Sequence, residues 1–190
     1  MKKLSSGAWA LIIVGVIIVL LAIFSITSYN SLVSAREDVT NQMANIDTQL
    51  QRRMDLIPNL VNTVKGYTSH ESEVLTQVSD ARAKLAGAST AADKAQADSE
   101  LSSALSRLLM VVENYPDLKA DQQFTALSDE LAGTENRIQV ARKDYNDTAR
   151  NYNKMVKTFP QVIFANLFGF DEVEYFEASE GAAEAPNVNF

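Results

Sequence analysis

The one histidine of this chain, His70, stands beside Glu71, and any search for chemistry begins there. An imidazole next to a carboxylate can move protons or help to hold zinc. A two-histidine zinc motif needs a second imidazole, which the sequence lacks. A serine nucleophile would have to share His70, and nothing in the sequence marks such a serine. There is no cysteine to act as nucleophile or thiolate ligand, and the seven glycines are scattered rather than gathered into a phosphate-cradling loop. His70 therefore reads as a polar residue at a helix start. Paired carboxylates are common on the predicted helices, and most read as solvated i, i+4 partners. Asn146-Asp147-Thr148 has the form of a glycosylation acceptor, a triplet that arises often by chance. The expectation is a protein that is not an enzyme, with no catalytic residues, no metal and no cofactor.

Two other groups of residues carry information. Arg52-Arg53-Met54-Asp55 interrupts an apolar stripe, and Glu113, Glu135 and Arg142 lie close to the apolar faces of later helices. Buried charge is costly unless paired. Together with His70 and Glu71, these residues outline either an ion-pair network that fixes helix register or a polar groove for a partner peptide. The second group is Arg142, Lys143, Arg150, Lys154 and Lys157, followed by the apolar Val162, Ile163, Phe164, Leu167 and Phe168. It reads either as cations complementing a helix C-terminus or as a membrane-surface contact. In the latter case Arg150, Lys154 and Lys157 meet anionic headgroups while Phe164 and Phe168 lie in the interface.

The elements that must position these residues are helical. Gly and Pro are scarce between residues 30 and 160, and apolar residues recur at spacings of three and four. Leu32, Val39, Met43, Ile46, Leu50, Ile57, Leu60 and Val64 form a first seam whose remaining slots hold Arg36 and Arg53. Val74, Leu75, Val78 and Leu85 form a second seam, and Leu101, Leu105, Leu108, Leu109 and Val112 a third. The fourth runs from Leu127 through Leu131, Thr134, Ile138, Ala141, Tyr145, Thr148, Tyr152 and Met155 to Phe159. Such seams pack helix on helix at small crossing angles, in the manner of a coiled coil.

Punctuation follows. Gly66 ends the first helix, and Thr68 with Glu71 has the spacing of a capping box for the second. Residues 86–92 read as a connection, and Tyr115-Pro116 and Phe159-Pro160 as stops. Pro58 either kinks the first helix or breaks it, and the register kept through Ile57, Leu60 and Val64 favours a kink.

From Leu4 to Ala35 there is no charge, and Ala8–Ile26 is almost entirely aliphatic or Phe. Nineteen helical residues reach about 28 Å, close to the hydrocarbon thickness of a bilayer. A cleaved signal peptide has a similar opening. The length of this stretch, the poor Ser25-Ile26-Thr27 cleavage site and the missing lipoprotein cysteine favour a retained anchor. Lys2 and Lys3 place the N-terminus in the cytoplasm and the remainder outside.

The net charge of −7 is concentrated in one place: residues 171–190 carry six acids and no base. The remainder is nearly neutral, with no basic groove for nucleic acid. Residues 178–190 are small, acidic and Pro-containing, a composition that favours disorder. The chain divides into an anchor over 1–28, a helical bundle over 29–170 and an acidic, mostly disordered tail over 171–190. The fold class is all-α: a single transmembrane helix continuing into an antiparallel bundle of about four long helices.

The segment Arg52-Arg53-Met54-Asp55-Leu56-Ile57-Pro58-Asn59-Leu60-Val61, then Val64-Lys65-Gly66-Tyr67 and His70-Glu71, resembles the signature of the bacterial LemA family. Glu113-Asn114-Tyr115-Pro116-Asp117-Leu118-Lys119-Ala120, Thr134-Glu135, Ile138, Ala141-Arg142, Tyr145-Asn146, Tyr152-Asn153, Phe159-Pro160 and Gly169-Phe170 continue it in order. The resemblance spans roughly residues 29–177. It implies a single-pass membrane protein with a helical bundle, and it brings no enzymatic activity. The function expected is a scaffold or adaptor of the cell envelope, held in the inner membrane through residues 8–26. It would self-associate or bind an envelope protein, with the bundle on the extracytoplasmic side. The alternatives are an accessory cofactor of a membrane protease and a lipid-surface module.

Overall fold

A computed structural model describes residues 6–68 and 71–176. Among them are six helices and no strand: α1 Ser6–Lys65, α2 Ser72–Gly87, α3 Ala91–Val112, α4 Pro116–Lys119, α5 Gln122–Lys157 and α6 Gln161–Phe168. The protein is all-α, and four of the six helices are long enough to carry a seam. The chain divides into two compact units, Met1–Thr40 with Thr148–Val173, and Asn41–Asp147 with Glu174–Phe190.

The first unit holds the apolar stretch. Every residue from Leu11 to Phe24 is exposed, so α1 is apolar all round here, as a membrane span is and a surface helix of a soluble protein is not. Further along, Leu32, Ala149, Tyr152 and Ala165 are buried. Gly169 closes α6 in the left-handed conformation, with φ of 71°. The chain then runs extended beside α5. The Tyr152 hydroxyl donates to the Asp171 carbonyl at 2.9 Å. The Asn153 amide donates to the Val173 carbonyl at 2.8 Å and accepts from its N–H at 2.9 Å.

The second unit is a helical bundle with a layered core of Ile46, Leu50, Ile57, Leu60, Val78, Leu101, Leu108 and Ile138. The same device recurs here: Asn146 donates to the Phe176 carbonyl at 2.9 Å and accepts from its N–H at 2.8 Å. The Tyr145 hydroxyl donates to the Glu174 carbonyl at 2.7 Å. Residues 171–176 therefore belong to the folded part. The expected bundle edge at 170 moves to 176, because side chains of α5 capture the backbone of this segment. Residues 178–190, expected to be disordered, lie outside the described residues.

Pro58 lies inside α1, which continues to Lys65. Proline withholds the donor that would satisfy the carbonyl four residues earlier. Here the Met54 carbonyl accepts instead from Arg82 Nε of α2, at 2.8 Å. Arg82→Ala is therefore expected to cost about 1 kcal/mol in the native sequence and much less beside Pro58→Ala, where residue 58 supplies its own N–H. A double-mutant cycle on denaturation midpoints of the full chain measures that coupling.

Three expectations about punctuation change. The Thr68 hydroxyl donates back to the Val64 carbonyl at 3.1 Å, and α2 starts at Ser72 with Glu71 at its N-cap position and no side-chain cap. The capping box lies at Thr90 and Asp93 instead, with bonds of 3.0 and 3.3 Å. The connection read over 86–92 shrinks to 88–90, because small residues with a good cap extend helices from both sides. Phe159, the last seam residue, is 80% exposed, because α5 ends at Lys157 before the stripe reaches it.

Candidate functional site

Arg53 of α1 projects into the second unit at a slot of the first seam and is 4% exposed. Its Nη1 donates to Asp98 Oδ1 of α3 at 2.5 Å and lies 2.7 Å from Glu135 Oε2 of α5. Its Nη2 donates to Ser102 Oγ at 3.0 Å. Arg142, two turns along α5 from Glu135, donates to the other Asp98 oxygen, Oδ2. Two guanidiniums and two carboxylates therefore meet, formally neutral, across three helices. Glu135 Oε2 contributes charge without hydrogen-bond alignment, and the Nε atoms of Arg53 and Arg142 have no hydrogen-bond partner. The Arg142 guanidinium also lies 4.7 Å from the centre of the Phe176 ring, which ties the extended segment to the cluster.

Asp98 is the centre of this arrangement, and sequence reasoning missed it. The signal was present: Ala91, Ala95, Asp98, Leu101, Leu105, Leu108 and Val112 form one helical stripe, with an acid in an apolar slot. Burial pushes the Asp98 carboxyl above its ordinary value, with Arg53 and then Arg142 pulling it down and Glu135 adding to the rise. The folded chain thus holds this proton more tightly than the unfolded chain does. The associated stability is complete below the ordinary value of 3.8 and is lost as pH rises through the raised folded value. Against Asp98→Asn, whose side chain does not titrate, the native chain is expected to gain relative stability as pH falls from about 7 towards about 4. Denaturation midpoints of both proteins across that range check the direction.

Of the other candidates, the structure leaves several outside the cluster. Arg52 pairs with Glu130 at 2.8 Å on the surface, Asp55 accepts from Gln51 at 2.7 Å, and Glu113 pairs with Lys119 at 2.5 Å. Glu71 accepts from the Tyr115 hydroxyl at 3.1 Å. His70 lies outside the described residues. A groove of about 290 Å³ opens beside the cluster, with Leu60, Leu109 and Leu131 on its apolar wall and Arg53, Ser128 and Glu135 on its polar side. Among the described residues no group of three or more acids, histidines or cysteines is placed to hold a metal.

The second set of candidates falls in the first unit. Lys157 pairs with Glu172 at 2.6 Å, and Lys154 and Arg150 are exposed on α5. The Phe164 ring meets Phe24 edge-on at 5.6 Å, and Phe168 meets Tyr29 edge-on at 5.0 Å.

The sequence model of the LemA family matches residues 42–190. It starts later than the motif resemblance and takes in the acidic tail, which the motifs leave out. The chain is 29% identical to magnetosome protein MamQ 2 of Paramagnetospirillum magneticum over 216 aligned residues, covering 98% of this chain and 79% of that protein. It is 28% identical to magnetosome protein MamQ of Magnetospirillum gryphiswaldense over 187 residues, covering 84% and 68%. It is 27% identical to protein LemA of Metamycoplasma hominis over 154 residues, covering 80% and 69%.

Proposed function

This chain belongs to the LemA family, and from that premise we propose that it is a membrane-anchored, non-catalytic scaffold of the bacterial cell envelope that works through its helix surfaces. The observation that carries this reading is the continuity of α1. One helix of 60 residues holds both the uncharged, outward-facing apolar stretch and the wall of the buried charge cluster. A helix that serves both as anchor and as part of a packed core suits a non-catalytic protein that works at the membrane.

The groove beside Arg53 and Glu135 is the surface we assign to a partner. Leu109 on its wall is 45% exposed, and Met110 beside it 65%, which leaves apolar surface for a partner to cover. The occupant proposed is a peptide segment, whose backbone offers both a donor and an acceptor to a site that holds a carboxylate and guanidiniums. A second copy of the chain is the simplest source of one. The reading extends to an extracytoplasmic bundle, supported by the two lysines that precede the apolar stretch.

The test is a photo-crosslinking residue at Leu109 in the full chain, irradiated in native membranes. A covalent adduct with a second copy or with an envelope protein supports the reading. Absence of both, with the crosslinker intact and the protein folded, removes it. Protease accessibility of the bundle in right-side-out and inverted vesicles decides sidedness.

A further inference from the structure

α6 turns one face to α1 and leaves the other uncovered. Phe164 meets Phe24 edge-on at 5.6 Å, while Tyr29 sits edge-on to both Phe168 and Phe170, at 5.0 and 5.7 Å. Phe24 is part of the apolar run Ala8–Ile26, and Tyr29 follows three residues after that run. α6 is thus fixed beside the last turns of the apolar stretch. On its other side Ile163 and Leu167, one helical turn apart, are 54% and 70% exposed. Phe159 leads into them, also bare to solvent. From Thr158 to Phe170 there is no charged residue, and Lys157 and Asp171 close the segment at its two ends.

We propose that α6 is a second membrane contact. It lies in the boundary between headgroups and acyl chains where α1 leaves the bilayer, with Phe159, Ile163 and Leu167 in lipid. The inference rests on reading α1 as a membrane span. The occupant is lipid because the residues against which α6 is built are themselves part-exposed at the end of that span, Phe24 at 39% and Tyr29 at 41%. A protein covering Leu167 would have to displace lipid from these neighbours as well. Tyr29 between two phenylalanines gives the aromatic layer common at membrane–water interfaces. Lys157, paired with Glu172, marks the water side. Charge, aromatic and aliphatic residues are then ordered by depth, as in interfacial helices.

The chain has no cysteine, so an introduced one is the only thiol to label. The full-length protein is reconstituted in phosphatidylcholine–phosphatidylglycerol vesicles containing lipids with a nitroxide high on the acyl chain, to reach residue 167, or, in a parallel set, near the chain end, to reach residue 17. An environment-sensitive fluorophore is attached in turn to Ile17→Cys, Leu167→Cys and Glu37→Cys, and circular dichroism confirms folding. Ile163→Cys replaces Leu167→Cys should the latter misfold. The expected result is blue-shifted emission and strong quenching at Ile17→Cys and Leu167→Cys, with neither at Glu37→Cys. Quenching at Ile17→Cys alone overturns the contact by α6 and leaves the anchor standing. A blue shift at Leu167→Cys without quenching reports a protein cover and overturns it too. No quenching at Ile17→Cys removes the anchor reading and this inference with it.

Discussion

Arg53→Met in the full chain is expected to destabilise the fold by about 3–5 kcal/mol, the cost of leaving a buried partner charge uncompensated. Methionine keeps the apolar stem and most of the volume but removes the guanidinium that joins Asp98, Glu135 and Ser102. Asp98, 1% exposed, then keeps only Arg142. The companion variant is Arg53→Met with Asp98→Leu. It removes one cation and one anion together and leaves Arg142 and Glu135, whose side chains are 19% and 29% exposed and can reach water. Most of the lost stability is expected to return, since a buried pair replaced by apolar side chains is often neutral. Urea midpoints of the full chain in detergent micelles, followed by helical circular dichroism, measure both. A single variant within about 1 kcal/mol of native stability would mean that the cluster does not hold the bundle. A folded Arg53→Met that loses its crosslinked partner would assign the arginine to the groove instead.

The combined variant Asn146→Ala and Asn153→Ala is expected to release residues 171–176. Each amide makes two bonds to backbone, one given and one received, to Phe176 and to Val173. Four bonds at about 1 kcal/mol each come to about 4 kcal/mol, more than enough to open a short extended segment locally. The backbone groups at 173 and 176 have no helical partners, so nothing else in their own segment compensates. Chymotrypsin cleavage at Phe176 is the readout, since its ring is 3% exposed while docked. Acceleration of cleavage with the helical content unchanged is the expected outcome. Cleavage at the native rate would show that the tyrosine hydroxyls and the ring of Phe176 suffice.

The parts of the structure that were legible in the sequence are those where one physical rule acts alone. The seams through Ile46, Leu50, Ile57 and Leu60, and through Leu101, Leu105 and Leu108, follow from period alone, and those side chains are buried. The continuity of α1 through Pro58 was readable from its register, but its cause was not, because Arg82 is 24 residues away in sequence from the proline it compensates. Arg53, Glu135 and Arg142 were found as charges in apolar slots. Asp98 was overlooked among small residues that gave no contrast. Thr68 with Glu71 had the spacing of a capping box, yet Thr68 found a nearer acceptor in the last turn of α1 at Val64. The acidic composition of 171–190 suggested a free tail, since composition cannot reveal that asparagines on a distant helix hold the backbone of its first residues.

The bond from Arg82 to the Met54 carbonyl also sets an order of events during synthesis. The ribosome delivers the first sixty-odd residues before α2 exists, so the nascent α1 meets its proline with one main-chain oxygen still hydrated. Only when residue 82 emerges and its helix docks does that oxygen find a protein donor. The rod is therefore completed by a later part of the same polypeptide, and nascent chains stalled before and after that point should differ in how readily a protease enters near Pro58.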